Sequence, residues 1–144
     1  MRITSPPDLA VRLRLAITRT SRRLRQEAGT GLSPTLSAAL ATVDRHGPLT
    51  PSELAQRERV RRPTVTRLAG RLEEMGLLAR AADPGDRRSS LLSVTPEGRA
   101  LLETMRDRKD AYLASRLAGL DPGERAALDR AAAILERLLE DDRA

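Results

Sequence analysis

The 144-residue chain has no cysteine, no phenylalanine and no tryptophan, and its one tyrosine is Tyr112. Without cysteine there is no disulfide, no thiolate metal site, no cysteine nucleophile and no thiol-based redox sensing. Aromatics make up 1% of the residues, which disfavours a β-sandwich or barrel, since those folds lean on aromatic and β-branched side chains. No long hydrophobic run occurs either. The longest, Ala131 to Leu135, has five residues, against the roughly 20 needed to span a bilayer. Met1 to Pro7 lacks the apolar core of a signal peptide. These absences predict a cytoplasmic chain with no membrane segment.

What is present is arginine, leucine and alanine. Together with glutamate they exceed half of the chain, a composition of long helices. Arginine outnumbers lysine 25 to one. GC-rich codon usage produces such a bias on its own, so the distribution of charge says more than the total of +6. Residues 1–28 carry seven arginines against two acids, residues 57–88 nine against five, and residues 121–144 four against seven. A basic start, a basic centre and an acidic tail suit a polyanionic partner such as nucleic acid.

Apolar periodicity divides the chain into helices and one hairpin. Pro7-Asp8 opens a first helix running to about Ala28, with Leu9, Leu13, Ile17 and Leu24 on one stripe and Val11 and Leu15 on another. Two apolar faces predict burial on more than one side, by a partner chain. Gly29 to Gly31 end it. Ser33-Pro34 places an N-cap before proline at the first helical position. Leu36, Leu40 and Val43 of this second helix face inward, and Gly47-Pro48 closes it. His46, in its last turn, reads as a favourable partner for the helix C-terminus and carries no chemistry.

Thr50-Pro51-Ser52-Glu53 is a capping box, with Leu49 and Leu54 placed as a hydrophobic staple. The short third helix it opens is interrupted at Glu58-Arg59-Val60-Arg61. A fourth helix resumes at Arg62-Pro63 and runs to Met75, with Val65, Leu68, Leu72 and Met75 as its inner stripe and Gly76 as its stop. The period then changes. Leu77 to Arg80 reads as a strand, Asp83 to Arg88 as a turn cluster, and Leu91 to Val94 as a second strand. Thr95-Pro96 caps a fifth helix to about Leu117, which carries Leu101, Met105, Tyr112, Leu113 and Leu117. Asp121-Pro122-Gly123-Glu124 is a second capping box, opening a sixth helix with Leu128, Ile134, Leu135 and Leu138.

Two helices joined by a tight turn and followed by a hairpin predict a mainly α fold. It is a winged helix-turn-helix of three helices plus a two-to-three-stranded β-wing, flanked by N- and C-terminal dimerisation helices. The expected division is residues 1–32 for N-terminal dimerisation, 33–95 for DNA binding and 96–144 for C-terminal dimerisation. The outward face of the fourth helix holds Arg62, Thr64, Thr66, Arg67 and Arg71. Arginine bonds two acceptors of guanine in the major groove, and threonine bonds base edges or touches the thymine methyl. Residues near the start of a recognition helix are those that reach bases.

Leu49 to Gly98, with long helices on both sides, resembles the MarR (multiple antibiotic resistance regulator) family of bacterial transcription factors. Arg62-Pro63-Thr64-Val65-Thr66-Arg67-Leu68 is similar to the family's recognition-helix pattern. Leu72 to Leu78 is similar to the helix end and first wing strand. The wing signature D-x-R-x-x-x-L-x-L/V-T-x-x-G is met by Asp86, Arg88, Leu92, Val94, Thr95 and Gly98. The resemblance implies a homodimer with interlocking terminal helices and two winged lobes that place recognition helices in successive major grooves of a pseudo-palindromic operator. It also implies wing arginines in the adjacent minor groove, Arg88 by motif and Arg87 by proximity, with Asp86 orienting Arg88. Many members bind a small organic molecule, phenolic or anionic, between lobe and dimer helices; no residue here is assigned to such a site. Arg61 departs from the pattern, standing where a small capping residue is common.

An enzyme needs a nucleophile with a base, paired functional carboxylates or a phosphate-binding glycine loop. The chain offers none, and no catalytic residue, cofactor or metal site is assigned. Glu140-Asp141-Asp142 reads as a solvated tail. The function expected is a DNA-binding transcriptional regulator, a homodimeric repressor released by a small organic effector. The alternative is an architectural DNA-binding protein with no effector.

Overall fold

The structure, a computed structural model, describes residues 3–142. The outermost ends of the expected segments 1–32 and 96–144 therefore lie outside the described residues. In chain order the elements are α1 (Pro6–Ala28), α2 (Pro34–His46), α3 (Pro51–Glu58), α4 (Arg62–Glu74), β1 (Leu78–Asp83), β2 (Asp86–Val94), α5 (Pro96–Ala118) and α6 (Pro122–Asp141).

Five helices begin on one local device. Ser5, Ser33, Thr50, Thr95 and Asp121 are N-caps in extended backbone, each side chain accepting from the N–H three residues on, with proline in the first turn. At α6 both bonds of the capping box form, Glu124 reaching back to the Asp121 N–H at 3.2 Å. At α3 the bond made is that from the Glu53 N–H to Thr50 Oγ1, at 3.1 Å.

The core is assembled from α2, α3, α4, the hairpin and the first turns of α5. Leu40, Leu54, Val65, Leu72 and Leu92 are fully buried in it, and Ala39, Val43, Ala69, Leu78 and Leu102 complete it. Met75, expected on the inner stripe of α4, is instead 41% exposed, and Ala69 takes the buried position. The helix ends at Glu74 and the chain turns at Gly76 (φ 73), which carries Met75 off the stripe.

The hairpin is longer and tighter than its sequence suggests. β1 pairs antiparallel with β2 from Leu78–Val94 to Asp83–Asp86, so the turn shrinks to Pro84-Gly85. A third strand is reduced to one antiparallel bridge, Leu49 with Leu92, closed by backbone bonds of 3.0 and 2.7 Å. Thr95 locks the hairpin base to the end of α4, donating its hydroxyl to the Gly76 carbonyl at 2.6 Å. Gly98 is required here, because a Cβ would stand 2.3 Å from the Leu77 carbonyl oxygen.

The terminal helices are different. α1 packs along α5, where Arg108 Nη1 donates to the Ala28 carbonyl at 2.8 Å and Arg23 lies 5.3 Å over the Tyr112 ring. The apolar residues of its first half, Leu9, Val11, Leu13, Leu15 and Ile17, are exposed. α6 has no buried residue; Leu128, Ile134, Leu138 and Leu139 are exposed and Leu135 is half-buried. None of the described helices is long and apolar enough to cross a membrane.

Candidate nucleic-acid interface

α3 and α4 are joined by a three-residue turn. Arg59 ends α3 in the left-handed region (φ 54, ψ 43), its N–H bonded back to the carbonyls of Ala55 and Gln56. Val60 N–H bonds the Ala55 carbonyl at 3.1 Å. Arg61 then occupies the N-cap of α4 without a side-chain cap bond, and Pro63 stands in the first turn. The recognition helix thus starts on proline geometry and its own backbone bonds, the Thr64 and Val65 N–H groups both donating to the Arg61 carbonyl.

With Val65, Ala69 and Leu72 buried, the opposite face of α4 presents Pro63, Arg67 and Gly70, flanked by Thr66 and Arg71. Arg67 is exposed and makes no ion pair among the described residues. Thr66 is exposed and donates its hydroxyl to the Arg62 carbonyl at 3.1 Å. Thr64 is half-buried beside a groove of about 570 Å³ between α2 and α4, floored by Leu36, Val60 and Leu68 and edged by Arg67 and Arg71. Arg62 turns from this face toward α3, where its Nη1 donates to Ser52 Oγ at 2.6 Å. Arg71 pairs with Glu74 at 3.4 Å.

In the wing the register slips between the Ala82–Ser90 and Asp83–Asp86 pairs, so Arg87, Arg88 and Ser89 stand outside the paired register. Asp86 Oδ1 accepts from the Arg88 backbone N–H at 2.9 Å, and Asp83 Oδ1 from that of Gly85 at 2.9 Å. Both arginines are exposed. A brace joins wing to recognition helix: Arg80 on β1 bonds Glu73 of α4 through Nε and Nη2, at 2.9 and 2.8 Å, and Ser90 of β2 through Nη1 at 3.0 Å.

The electrostatic consequence comes from who is paired with whom. All five acids between residues 57 and 88 have internal partners. Glu58 accepts from the Thr42 hydroxyl, Glu73 and Glu74 pair with Arg80 and Arg71, and Asp83 and Asp86 accept backbone N–H groups. Of the nine arginines in this stretch, Arg57, Arg59, Arg61, Arg62, Arg67, Arg87 and Arg88 have no ion-pair partner among the described residues. Glu73 and Glu74 offset Arg80 and Arg71, whereas Glu58, Asp83 and Asp86 bond neutral donors and keep their charge. The positive excess is therefore that of seven arginines without an ion-pair partner over three such acids. The sequence signal of Ser52 is its place in a capping motif, which does not disclose its contact with Arg62.

A second cavity, of about 600 Å³, lies where α1, α2 and α5 meet, with Leu24, Arg25, Ser37, Met105 and Lys109 in its wall. Among the described residues no group of three or more metal-ligating side chains comes together.

Comparison with known proteins agrees with this architecture. The MarR family model matches residues 32–90. An HTH-type transcriptional regulator of Mycobacterium bovis is 39% identical over 140 residues, covering 96% of this chain and 98% of that protein. The HTH-type transcriptional repressor MdtR of Bacillus subtilis is 37% identical over 94 residues, 65% of this chain and 61% of its own. The crystal structure of a transcriptional regulator protein from Pseudomonas aeruginosa superposes with a TM-score of 0.84 at 38% identity, covering 94% of this chain and 98% of that one.

Proposed function

The chain belongs to the MarR family of helix-turn-helix transcriptional regulators, and on that premise we propose that it acts in the cytoplasm as a homodimeric repressor of a pseudo-palindromic operator. The observation that carries the DNA-binding part is the set of seven arginines on α3, α4, their turn and the wing that have no ion-pair partner among the described residues, against three nearby acids that bond only neutral donors. α4 enters the major groove with Arg67 foremost, backed by Pro63, Thr64, Thr66 and Arg71. Arg62 stands at its edge. Arg87 and Arg88 reach the minor groove from the wing, with Asp86 fixing the backbone that presents Arg88.

Dimerisation rests on the exposed apolar rows of α1 and α6, which the chain itself leaves uncovered. Residues 1–32 and 96–144 form the dimer arms in this reading, and 33–95 the DNA-binding lobe. The cavity between α1, α2 and α5 supports an organic effector with an anionic group, since Arg25 and Lys109 stand in its wall and no acid does.

The test titrates the protein, Arg67→Ala and Arg88→Ala against the gene's own upstream region, single-base variants of it and unrelated duplex, at several salt concentrations. Arg67→Ala is expected to cost about 1–3 kcal/mol and to relax preference at one position per half-site. Arg88→Ala is expected to weaken all duplexes more evenly and flatten the salt dependence. The reverse pattern inverts the two roles, and no effect from either variant overturns the DNA-reading surface.

A further inference from the structure

We propose that Ser52, at the start of α3 and outside the recognition helix, is a positioning residue that holds Arg62 as a phosphate clamp at the edge of the DNA groove. The proposal rests on the DNA-binding reading above.

Arg62 and Ser52 are both exposed, yet Arg62 Nη1 donates to Ser52 Oγ at 2.6 Å, ten residues away in the chain. The arginines beside it are engaged differently. Arg71 and Arg80 each meet a glutamate, which offsets their charge. Arg62 meets a neutral hydroxyl, so it is restrained without being neutralised. A free arginine has rotamer entropy to lose when it is fixed on a ligand. Restraint by Ser52 removes part of that loss beforehand, which is how preorganisation raises affinity.

The direction of the restraint indicates the ligand. Arg62 leans away from Arg67 and toward the start of α3, so it stands beside the face aimed at base edges. A duplex presents its phosphates there, as α4 lies in the groove between them. A guanidinium has five N–H donors, so one bond to Ser52 leaves donors for a phosphate oxygen. Ser52, held on α3, therefore fixes where the Arg62 guanidinium of α4 meets the phosphate, and so how deep and at what angle α4 seats.

The test is a double-mutant cycle on the full-length protein with Ser52→Ala, Ser52→Thr, Arg62→Ala and the double variant. Each is titrated against operator, single-base operator variants and unrelated duplex over a salt series. Ser52→Ala is expected to weaken operator and unrelated duplex by the same factor, about two- to tenfold, the range of one hydrogen bond. It should leave base preference and the salt slope unchanged. Arg62→Ala should weaken binding further and lower the slope by about one for each phosphate left unneutralised. Ser52→Thr, which keeps the hydroxyl, should restore binding. The double variant should bind as Arg62→Ala does, because Ser52 acts through Arg62. Additive losses, a Ser52→Ala change in base preference, or failure of threonine to rescue each overturn the clamp. Wild-type protein that binds no duplex overturns the DNA-binding reading itself. Wild-type binding with undiminished Ser52→Ala binding overturns the clamp alone.

Discussion

Replacing Arg59 with glycine is expected to make the protein more stable, although it deletes a whole side chain. Arg59 is the only non-glycine residue with positive φ among those described. An L side chain in that conformation costs about 1–2 kcal/mol, because its Cβ crowds the following carbonyl oxygen. Glycine removes the crowding but has more backbone freedom to lose on folding, about 0.5–1 kcal/mol. The balance is a gain of about 0–1.5 kcal/mol, centred near 0.75. The arginine side chain returns nothing: it is exposed, makes no ion pair among the described residues, and lines a cleft with Arg45, His46 and Arg57. For a chain of this size a gain of 1 kcal/mol raises Tm by about 2–5 °C. Thermal melting monitored by circular dichroism measures it, at fixed protein concentration so that association does not shift the midpoint. Arg59→Ala is the control, since alanine drops the charge and keeps the Cβ. The expected order is glycine clearly above alanine, with alanine near the parent. Equal gains from both would assign the effect to charge repulsion. A lower Tm for Arg59→Gly would refute the left-handed geometry of the turn.

Three other perturbations test separate parts of the molecule. Gly98→Ala should destabilise by about 1–3 kcal/mol as an overpacked contact, because the new Cβ would meet the Leu77 carbonyl oxygen at 2.3 Å and Val94 Cγ1 at 2.9 Å; an unchanged urea midpoint would mean that α5 is not seated on β1. Leu135→Arg puts a charge on a half-buried position of α6 and should yield monomer in sedimentation at low micromolar concentration; a persisting dimer would place α6 outside the interface. Arg80→Ala removes the brace from wing to recognition helix. It should cost no more than about 1 kcal/mol of stability, since the pair is partly exposed, while weakening operator and unrelated duplex alike; a change in base preference instead would show that the brace aims α4 rather than the wing.

The parts of this fold that were legible in the sequence are those fixed by a few adjacent residues. Ser33-Pro34, Thr50-Pro51, Thr95-Pro96 and Asp121-Pro122 each announce a helix start through one side-chain bond and one fixed φ, and each starts a helix. Apolar spacing misleads at a helix end: Met75 continues the stripe of α4, but the helix stops at Glu74 and leaves it exposed. Asp83 to Arg88 has turn composition, yet Asp83 pairs with Asp86 across the hairpin, which narrows the turn to Pro84-Gly85 and leaves Arg87 to Ser89 outside the register. Elsewhere the outcome depends on distant chain. Thr64 lies on the polar side of α4 by count, and the packing of α2 against it half-buries it. The candidate site follows the same division. Its arginines can be counted from sequence, whereas which of them lack an acid depends on contacts such as Arg80 with Glu73 and Thr42 with Glu58.

The distribution of burial bears on how a ligand between α1, α2 and α5 would act on DNA binding. The core of the lobe is closed by residues 39–102 of the chain itself, which gives the lobe one continuous packed interior. Its polar ties to the long helices are few and soft. Asp44 of α2 faces Arg99 and Arg106 of α5 at 3.6 and 3.7 Å, beyond hydrogen-bond distance and with both arginines largely exposed; such pairs contribute about 0–1 kcal/mol each. Arg108 holds the end of α1 to α5 through the Ala28 carbonyl, which keeps those two helices together rather than either to the lobe. The first turns of α5 belong to the lobe through Leu102, so reorienting the lobe on α1 and on the rest of α5 strains weak contacts of this kind and leaves the shared core intact. An effector needs only a differential affinity of about 1–3 kcal/mol for one orientation to change DNA affinity 5- to 150-fold. That lies well within the roughly 8 kcal/mol of a micromolar ligand. Because the coupling is reciprocal, operator DNA must weaken effector binding by the same factor. Calorimetric titration of the effector into free and operator-bound protein measures that factor directly, and equal affinities in the two states would exclude release by this route.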